Sequence, residues 1–287
     1  MIRLTVLGAC GTYPSAGRAC SGYLLEAISG GSRARVWVDT GSGTLANLLR
    51  YTSLPELDAI WLSHLHVDHS SDLPVAYYAL RYGDLDPSTP PVPVYGPSGW
   101  AEHIRAFTSQ ETAAIEEAFE VHELHDRERV RLGPLDLTAM ATVHSVETYG
   151  LRAAAAGATV AYSADSGPCD ALAEMAAGAD LFLCESAWME RPTESVPIHM
   201  TPDLAGEWAA RAGARRLVLT HLRPGSDLGA AVRRAGAAGV PVDVAVEHGT
   251  FEVEAPDEAT PTGSARGGAT APTGASGGPA AGPGEAR

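Results

Sequence analysis

Three histidines and one aspartate fall within six positions of the sequence, inside the stretch SHLHVDHS at residues 63–70. The apolar run LDAIWL directly precedes this stretch, so we expect the polar cluster to stand where a buried strand ends. A lone histidine at a strand end is usually a surface or hydrogen-bonded residue. Four such side chains together are different, because a bound cation is needed to offset the cost of burying them. The four residues are His64, His66, Asp68 and His69.

Further polar side chains close three later apolar runs. His144 closes LTAMATVH, Asp165 closes ATVAYSAD and His221 closes RRLVLTH. Any one of them alone could be an ordinary polar residue at the edge of a sheet, but three in one chain favour a shared site. Imidazole and carboxylate ligands suit zinc, and they also suit manganese and iron. The sequence therefore predicts a site for two divalent metal ions, with zinc as the first candidate.

Strand patterns come first in each half of the chain and helical patterns later, which predicts an α/β fold with mixed strand pairing. Two mixed sheets packed face to face, with helices outside, are the natural way to bury the apolar face of each sheet. The predicted helices cover residues 70–82, 99–119, 167–179, 201–214 and 226–237. The predicted strands cover residues 2–9, 21–28, 34–39, 57–63, parts of 120–144, 158–165, 180–186, 215–222, 242–247 and 250–254.

The net charge of −15 bears on the partner of this chain. A protein that grips a long nucleic acid usually carries a basic stripe, whereas the arginines here are scattered or mixed with other residues, as in RERVR at 127–131. We therefore disfavour long nucleic acid, although folding could gather distant arginines into one patch. No apolar run approaches the roughly 20 residues of a membrane span. The first ten residues read as a strand, which predicts a cytoplasmic protein without a membrane partner.

Composition separates the last residues from the rest. The segment 255–287 consists almost entirely of Ala, Gly, Pro, Ser and Thr, and it has no aromatic residue. Because it cannot bury enough apolar surface to offset its ordering entropy, we expect a disordered tail after a folded domain at 1–254. The four cysteines lack CxxC spacing, so we expect reduced thiols rather than disulfides or zinc ligands. They are Cys10, Cys20, Cys169 and Cys184.

The ordered pattern HxHxDH, followed by one His, one Asp and one His at strand ends, resembles the metallo-β-lactamase superfamily over residues 1–254. The resemblance implies a four-layer αββα sandwich with a dimetal site at one rim. It also implies that His64, His66 and His144 hold one metal, that Asp68, His69 and His221 hold the other, and that Asp165 bridges them. The stretch VDTGSGT matches an early loop of the superfamily, in which Asp39 supports the ligand loop from behind. A turn-forming aspartate before glycines would stand at the same position.

Two further motifs distinguish branches of the superfamily. LCESAW at 183–188 and HMTP at 199–202 resemble paired motifs of the ribonuclease Z group of phosphodiesterases. By that resemblance Glu185 steadies His199, which lies near the leaving oxygen; a strand-end charge and a helix-flanking residue are the alternatives. True β-lactamases of the superfamily generally carry cysteine at the position of Asp165, which counts against antibiotic hydrolysis. Glyoxalase II-like thioesterases and lactonases share the aspartate, so the ligand set alone leaves them open.

The gap between two ligands bears on substrate size. Ribonuclease Z usually carries a tRNA-gripping arm between the ligand histidine and the bridging aspartate, but His144 and Asp165 are 21 positions apart (165 − 144). This gap has room for little beyond two strands and a turn, so the arm is absent. We therefore place tRNA 3′ processing second, as the alternative function. Stretches such as LTVLGACGTYPSAGRACSGYLLEA and VHSVETYGLR are similar to bacterial cyclic-nucleotide phosphodiesterases of the superfamily. This resemblance implies hydrolysis of a small cyclic nucleotide such as 3′,5′-cyclic AMP, and a homodimer as the assembly.

The predicted chemistry follows from the anionic substrate, which repels hydroxide. Two cations neutralise the phosphodiester and lower the pKa of a bridging water, which becomes the nucleophile. Asp68 or Asp165 could orient this water, and His199 could protonate the leaving oxygen. A regulatory or redox metal protein is the competing class, but it has no need of a proton donor. Further candidates could stack on a base, contact phosphate or simply pack; they are Tyr77, Tyr78, Tyr149, Trp188, Ser163, Ser166 and Thr148.

Overall fold

The computed structural model describes residues 1–108, 114–191 and 197–255. Within these ranges the short apolar runs form strands, because apolar residues bury one or both faces of a sheet. In chain order the strands are β1 Ile2–Gly8, β2 Gly22–Ser29, β3 Ser32–Val38, β4 Ala59–Trp61, β5 Val92–Gly96, β6 Phe119–Glu123, β7 Arg129–Leu132, β8 Leu135–Ala141, β9 Tyr149–Ala155, β10 Ala158–Tyr162, β11 Leu181–Glu185, β12 Leu217–Thr220, β13 Val242–Val244 and β14 Thr250–Val253.

The helices are short and follow the parallel strands. They are α1 Thr44–Leu48, α2 Val67–Ser70, α3 Leu73–Tyr82, α4 Trp100–Phe107, α5 Asp170–Met175, α6 Pro202–Ala212 and α7 Leu228–Gly236, with 3₁₀ turns at Leu54–Glu56 and Ile115–Glu117. The longest, α6, begins with Pro202 after Thr201 and ends at Gly213 in the left-handed conformation. Proline at the start and glycine past the end are the residues expected there, since proline needs no backbone donor and glycine tolerates a positive φ.

Two mixed sheets of seven strands share one plan. Their orders are β14-β1-β2-β3-β4-β5-β6 and β13-β12-β11-β10-β9-β8-β7. Strands β3 to β6 run parallel to one another, as do β10 to β13, and the other pairings are antiparallel. The carboxyl ends of the parallel strands therefore gather at one edge of each sheet, where α/β folds bind their ligands.

Three apolar layers hold the sheets and helices together. The inner core joins the facing sides of the sheets, through residues such as Val36 and Trp61 on one sheet and Leu151 and Leu183 on the other. A second cluster packs α1, α3 and α4 on the outer face of the first sheet. A third packs α5, α6 and α7 on the outer face of the second sheet. The predicted αββα sandwich is confirmed.

Two predicted helices are shorter in the structure. The helix predicted at 99–119 ends at Phe107, whereas Phe119 is fully buried at the start of β6 and pairs with β5. Sheet pairing here overrides a helical pattern; positions 109–113 lie outside the described residues. The helix predicted at 70–82 is interrupted before α3, where the carboxylate of Asp72 accepts a hydrogen bond of 2.8 Å from the backbone N–H of Leu45. Pro74 then lies in the first turn of α3.

The segment between His144 and Asp165 has the predicted form. Strands β9 and β10 pair antiparallel from Ala155 opposite Ala158 to Leu151 opposite Tyr162. A tight turn at positions 156–157 joins them, with φ of 49° and 79°. Every residue of this segment is described, and the two strands and their turn account for its length.

Other expectations concern the chain as a whole. All four cysteines are free thiols, as predicted, and Cys10, Cys20 and Cys184 are buried. Among the described residues no helix combines the length and the hydropathy that crossing a membrane requires. The tail predicted to be disordered lies outside the described residues from position 256 onward, so that interpretation and the domain boundary stay predictions.

Candidate metal centre

The structure brings all seven predicted metal ligands together at the carboxyl ends of strands from both sheets. The loop after β4 and the single turn of α2 carry the HxHxDH residues. Loops after β8, β10 and β12 carry the other three ligands. The donor atoms form two groups within which all distances are at most 4.8 Å: His64, His66, His144 and Asp165 in one, and Asp68, His69 and His221 in the other.

The first group points three imidazole nitrogens at one another. Nε2 of His64 and Nε2 of His144 each lie 3.1 Å from Nδ1 of His66. On the far side of the rings, Nδ1 of His144 lies 3.0 Å from the carbonyl oxygen of Ile198, and Nδ1 of His64 lies 3.0 Å from the hydroxyl of Ser63. A carbonyl only accepts, so Nδ1 of His144 holds the proton and its Nε2 carries a lone pair when the ring is neutral.

The same reasoning applies to His64. The hydroxyl of Ser63 donates to Oδ2 of Asp39 at 2.8 Å, so it accepts from Nδ1 of His64 and leaves a lone pair on Nε2. His66 can donate one proton from Nδ1 and thus satisfy one of these two lone pairs. At least one nitrogen pair at 3.1 Å therefore joins two lone pairs, an arrangement that a shared cation would stabilise.

Asp165 lies between the two groups. Its Oδ1 is 3.3 Å from Nε2 of His69, and its Oδ2 is 3.2 Å from Nε2 of His221. The same Oδ2 is 3.9 Å from Nε2 of both His64 and His144. Asp68 lies near the other members of the second group, at 3.8 Å from His69 and 3.6 Å from His221.

Asp39 lies behind the predicted ligands and holds them by hydrogen bonds, as the resemblance implies. This buried carboxylate accepts hydrogen bonds from the backbone and hydroxyl of Ser63, from Nδ1 of His69 at 2.8 Å and from the hydroxyl of Tyr162 at 2.7 Å. The bond to Nδ1 leaves Nε2 of His69 facing the cluster. Sequence reasoning missed Ser63 and Tyr162, although Ser63 directly precedes the motif. It also missed Ser21, whose hydroxyl lies 2.8 Å from Nδ1 of His221.

Burial sets the protonation of most of these rings. It lowers the pKa of His64 well below its ordinary value, lowers the pKa of His221 to about 4, and also lowers the pKa values of His66 and His144. Burial likewise disfavours the charged form of His69, but Asp165 and Asp39 outweigh it and raise the pKa of His69 well above the usual value. Asp165 and Asp39 therefore favour positive charge at His69, which either a proton or a metal cation can provide.

Two buried atoms support a cation at this place. Nε2 of His69 and Oδ1 of Asp165 have no hydrogen-bond partner in the part of the chain that the structure describes. They lie 3.3 Å apart without meeting hydrogen-bond geometry, and both are shielded from solvent. Buried polar atoms without partners are rare, because each costs about 1–3 kcal/mol. Imidazoles and carboxylates in this arrangement fit divalent metal ions.

Backbone conformations that other residues rarely adopt are concentrated at the centre. Asp39, Ala164 and His221 have φ values of 56°, 52° and 55°, in the left-handed region. Thr12 is a fourth case, at 69°, and its backbone N–H donates to Oδ2 of Asp68 at 2.7 Å. Such conformations cost free energy and persist where surrounding contacts enforce them, as they often do at functional sites.

Gly11 and Gly41 allow the loops to approach closely. A Cβ atom on Gly41 would lie 2.1 Å from the carbonyl oxygen of Asp68, and one on Gly11 would lie 2.3 Å from the carbonyl oxygen of His221. Neither position can therefore hold a larger residue without moving a loop that carries a predicted ligand.

Glu185 and His199 form a pair at the edge of the cluster. Nδ1 of His199 lies 2.8 Å from Oε1 of the fully buried Glu185 and 3.8 Å from Oδ2 of Asp165. The backbone N–H groups of Ser166 and Ala187 also donate to this carboxylate. Burial disfavours the charged form of His199, but the hydrogen bond and charge of Glu185 outweigh it, so the pKa of His199 is raised. This arrangement can hold a proton on an imidazole beside the cluster.

The remaining candidates are divided by burial. Tyr77 is 2% exposed in the core, so the hypothesis that it stacks on a base is wrong. Tyr149 is also buried and donates to Glu147, whereas the hydroxyl of Tyr78 donates to the carbonyl oxygen of Thr108. Trp188 alone among the four aromatic candidates has a ring contact with His199, at a centroid distance of 5.2 Å within the described residues.

The candidate hydroxyls are engaged with the backbone. Those of Ser163, Ser166 and Thr148 donate to the carbonyl oxygens of Ala164, Gly167 and Val146, respectively. Of the two interpretations that the sequence leaves open for them, turn stabilisation matches these bonds.

Comparison with known proteins shows the family of this chain. A family model described as the β-lactamase superfamily domain matches residues 34–222, which span β3 to the loop that carries His221. The chain belongs to the metallo-β-lactamase superfamily. An uncharacterized Mycobacterium tuberculosis protein, Rv1339, is 37% identical over 257 residues, which cover 88% of this chain and 92% of that protein. A ribonuclease Z of Mycolicibacterium gilvum is 30% identical, over 79% of this chain and 87% of that enzyme.

A solved structure extends the comparison to three dimensions. The metallo-β-lactamase fold protein YhfI of Bacillus subtilis matches with a TM-score of 0.75 at 28% identity, over 87% of this chain and 98% of that one. By sequence the same protein, a probable metallo-hydrolase, is 32% identical over 77% of this chain and 87% of its own length. This chain is a metal-dependent hydrolase with a metallo-β-lactamase fold and a candidate site for divalent metal ions.

Proposed function

We propose that this hydrolase is a dimetal phosphodiesterase that acts on a small cyclic nucleotide such as 3′,5′-cyclic AMP, with zinc as its metal. The observation that carries the proposal is the pair formed by Glu185 and His199, which places a potential proton donor 3.8 Å from Asp165. A site that only stored metal would have no use for a buried carboxylate that keeps a neighbouring imidazole protonated.

The two groups of donors define the metal ligands of this proposal. One ion would be held by His64, His66 and His144, and the other by Asp68, His69 and His221, with Asp165 bridging them. When bound, the two ions supply charge neutralisation for the phosphodiester and a water nucleophile of lowered pKa. The fixed tautomers of His64 and His144 prepare lone pairs for binding, so these rings need no rearrangement.

The side chains of the chain itself move the protons. Asp68, which the N–H of Thr12 holds at 2.7 Å, orients the attacking water and accepts its proton. The water oxygen forms a bond to phosphorus, and the bond from phosphorus to the leaving oxygen breaks. His199 gives its proton to that leaving oxygen while Glu185 stabilises the imidazolium. The product is a phosphate monoester.

A small substrate is favoured by what surrounds the site. Between His144 and Asp165 the chain consists of β9, a tight turn and β10, which leaves little room for an arm that grips tRNA. The net charge of −15 also opposes binding of a long polyanion. Ribonuclease Z-like cleavage of tRNA is the second candidate, because a relative of that name is 30% identical.

A substrate panel tests the proposal. The purified full chain is supplied with zinc or with manganese and assayed on bis-p-nitrophenyl phosphate, 3′,5′-cyclic AMP, 3′,5′-cyclic GMP, precursor tRNA and a thioester. We expect hydrolysis of the first three. Cleavage of precursor tRNA without cyclic-nucleotide hydrolysis would favour the second candidate, and activity on the thioester alone would overturn both.

A further inference from the structure

An open cavity of about 380 Å³ lies between the loops that follow β11 and β12. These strands are parallel neighbours whose ends carry Glu185 and His221, so the cavity opens at the same edge of the sheet as the ligand cluster. Its volume is within the range of small-molecule sites, roughly 300–1,000 Å³. The residues that line it are Ala187, Trp188, Met189, Glu190, Arg223 and Ser226.

Trp188 joins this cavity to the edge of the ligand cluster through its contact with His199. The two rings meet edge to face, with centroids 5.2 Å apart and planes at 65°. The backbone N–H of Trp188 donates to the carbonyl oxygen of Met200 at 3.2 Å, and that of Ala187 donates to Glu185 at 2.9 Å. The hydrogen bonds around the Glu185–His199 pair therefore also hold the half-buried indole in place.

Arg223 supplies the charge of the cavity. It follows the predicted ligand His221 by two positions and is exposed. Its guanidinium has no hydrogen bond or ion pair with residues 1–108, 114–191 or 197–255. On the opposite wall, Glu190 is paired with Arg234 at 2.8 Å, and Arg234 also donates to the carbonyl oxygen of Met189. In a chain of net charge −15, the cavity thus holds a cation without a partner among these residues.

We propose that this cavity binds the nucleoside part of the substrate, with the base stacked on Trp188 and its acceptor atoms facing Arg223. The inference rests on the proposed function, in which His199 protonates the leaving oxygen. In a cyclic nucleotide the ribose and base stay attached to that oxygen, so they extend past His199 toward Trp188. An indole face stacks on any base, because every base has a π-face.

Arg223 adds a preference among purines. Its guanidinium offers donors and no acceptor. Guanine presents two acceptors, O6 and N7, on one edge, whereas adenine presents the N7 acceptor beside an amino donor. A glutamine at position 223 would offer one donor and one acceptor, which matches adenine. The chain with Arg223 therefore binds guanine nucleotides better, relative to adenine nucleotides, than a glutamine variant does.

The test compares product binding with and without a base. The zinc-loaded full chain is titrated calorimetrically with guanosine 5′-monophosphate, adenosine 5′-monophosphate and ribose 5-phosphate. We expect Trp188→Ala to weaken both nucleotides by about 10- to 100-fold and to leave ribose 5-phosphate unchanged. Trp188→Phe keeps an aromatic face and should retain most of the affinity. Arg223→Gln should weaken the guanine nucleotide by about 10-fold more than the adenine nucleotide.

Matched controls are Tyr82→Ala, an exposed aromatic residue of α3, and Arg129→Gln, an exposed arginine of β7. Neither should change the three affinities. The nucleoside site would be overturned if Trp188→Ala weakened ribose 5-phosphate as much as the nucleotides. It would also be overturned if the wild type bound the nucleotides no more tightly than ribose 5-phosphate. Both results would count against the site even if cyclic nucleotides are hydrolysed. Base-dependent binding together with failure to hydrolyse any phosphodiester would instead contradict the proposed function and leave the cavity assignment standing.

Discussion

The imidazole of His199 and the buried carboxylate of Glu185 form a hydrogen bond of 2.8 Å at the edge of the ligand cluster. Glu185 also accepts two backbone hydrogen bonds, so its orientation does not depend on His199. The carboxylate is thus a fixed partner that can keep a proton on the ring. Variants of this pair can therefore separate the loss of proton donation from the loss of metal binding.

Replacing His199 by alanine should lower kcat for a cyclic nucleotide by about 10²- to 10⁴-fold, because the leaving alkoxide loses its proton donor. Hydrolysis of bis-p-nitrophenyl phosphate should fall much less, since p-nitrophenolate leaves without a proton. Metal analysis by mass spectrometry should show wild-type content. His199 also lies within 4.8 Å of donor atoms of Asp165 and His221. Loss of metal from the variant would therefore identify His199 as a ligand and contradict its assignment as the proton donor.

The substitution Glu185→Gln should lower kcat through His199 and not through the metal. The amide keeps the shape of the side chain but cannot stabilise an imidazolium to the same extent. We expect a smaller loss than for His199→Ala, and little further loss when Glu185→Gln is added to His199→Ala, because the two residues act as one unit. Fully multiplicative losses in the double variant would show that they act independently.

Asp39→Asn should weaken metal binding by about 10- to 100-fold, since Asp39 orients His69 and receives the hydroxyls of Ser63 and Tyr162. Competition with a chromophoric chelator measures the affinity. Tyr162→Phe is the matched control, because it removes one hydrogen bond and keeps the negative charge; its effect should be clearly smaller. Unchanged affinity in Asp39→Asn would mean that metal binding by His69 does not depend on its hydrogen bond to Asp39.

Asp203 offers a test of pH dependence away from the metal centre. It pairs with Arg234 at 2.7 Å, and both side chains are about one-third exposed, so the pair contributes about 0.5–1 kcal/mol after solvent screening. Burial opposes ionisation of Asp203, but hydrogen bonding that includes the Arg234 guanidinium outweighs it and lowers the pKa of Asp203. A lowered pKa in the folded state means that this stability is present above the unfolded value, near 4, and is lost at lower pH.

Urea unfolding of chelator-treated Asp203→Asn and of the wild type measures this contribution. The difference in free energy of unfolding should be constant between about pH 5 and pH 8 and should shrink below about pH 4. A difference that persists unchanged in acid would show that packing, and not charge, accounts for the effect.

The sequence predicts the fold and the members of the cluster because both depend on local patterns. Apolar runs that end in His or Asp identify the strand ends, and the two packed sheets bring those ends together at one rim. The hydrogen bonds that support the cluster could not be predicted from local patterns. Ser21 meets His221 across 200 positions and Tyr162 meets Asp39 across 123, so only the assembled sheets show them.

Burial explains the interpretations that failed or were missed. Tyr77 and Trp188 are both aromatic residues near motifs, yet Tyr77 packs in the core and Trp188 lines a cavity. Arg223 has no motif of its own, and its significance depends on the absence of a partner among the described residues. The helix predicted at 99–119 failed for a related reason, since β6 gains more from pairing with β5 than a helix gains from local periodicity.

The most direct test of a dimetal phosphodiesterase is a titration of chelator-treated protein with Zn²⁺, in which bound metal and hydrolysis of a cyclic nucleotide are measured on the same samples. We predict that activity rises with metal and reaches its plateau at two ions per chain. A plateau at one ion per chain, or two bound ions with no phosphodiester hydrolysis at any metal concentration, would contradict a dimetal phosphodiesterase.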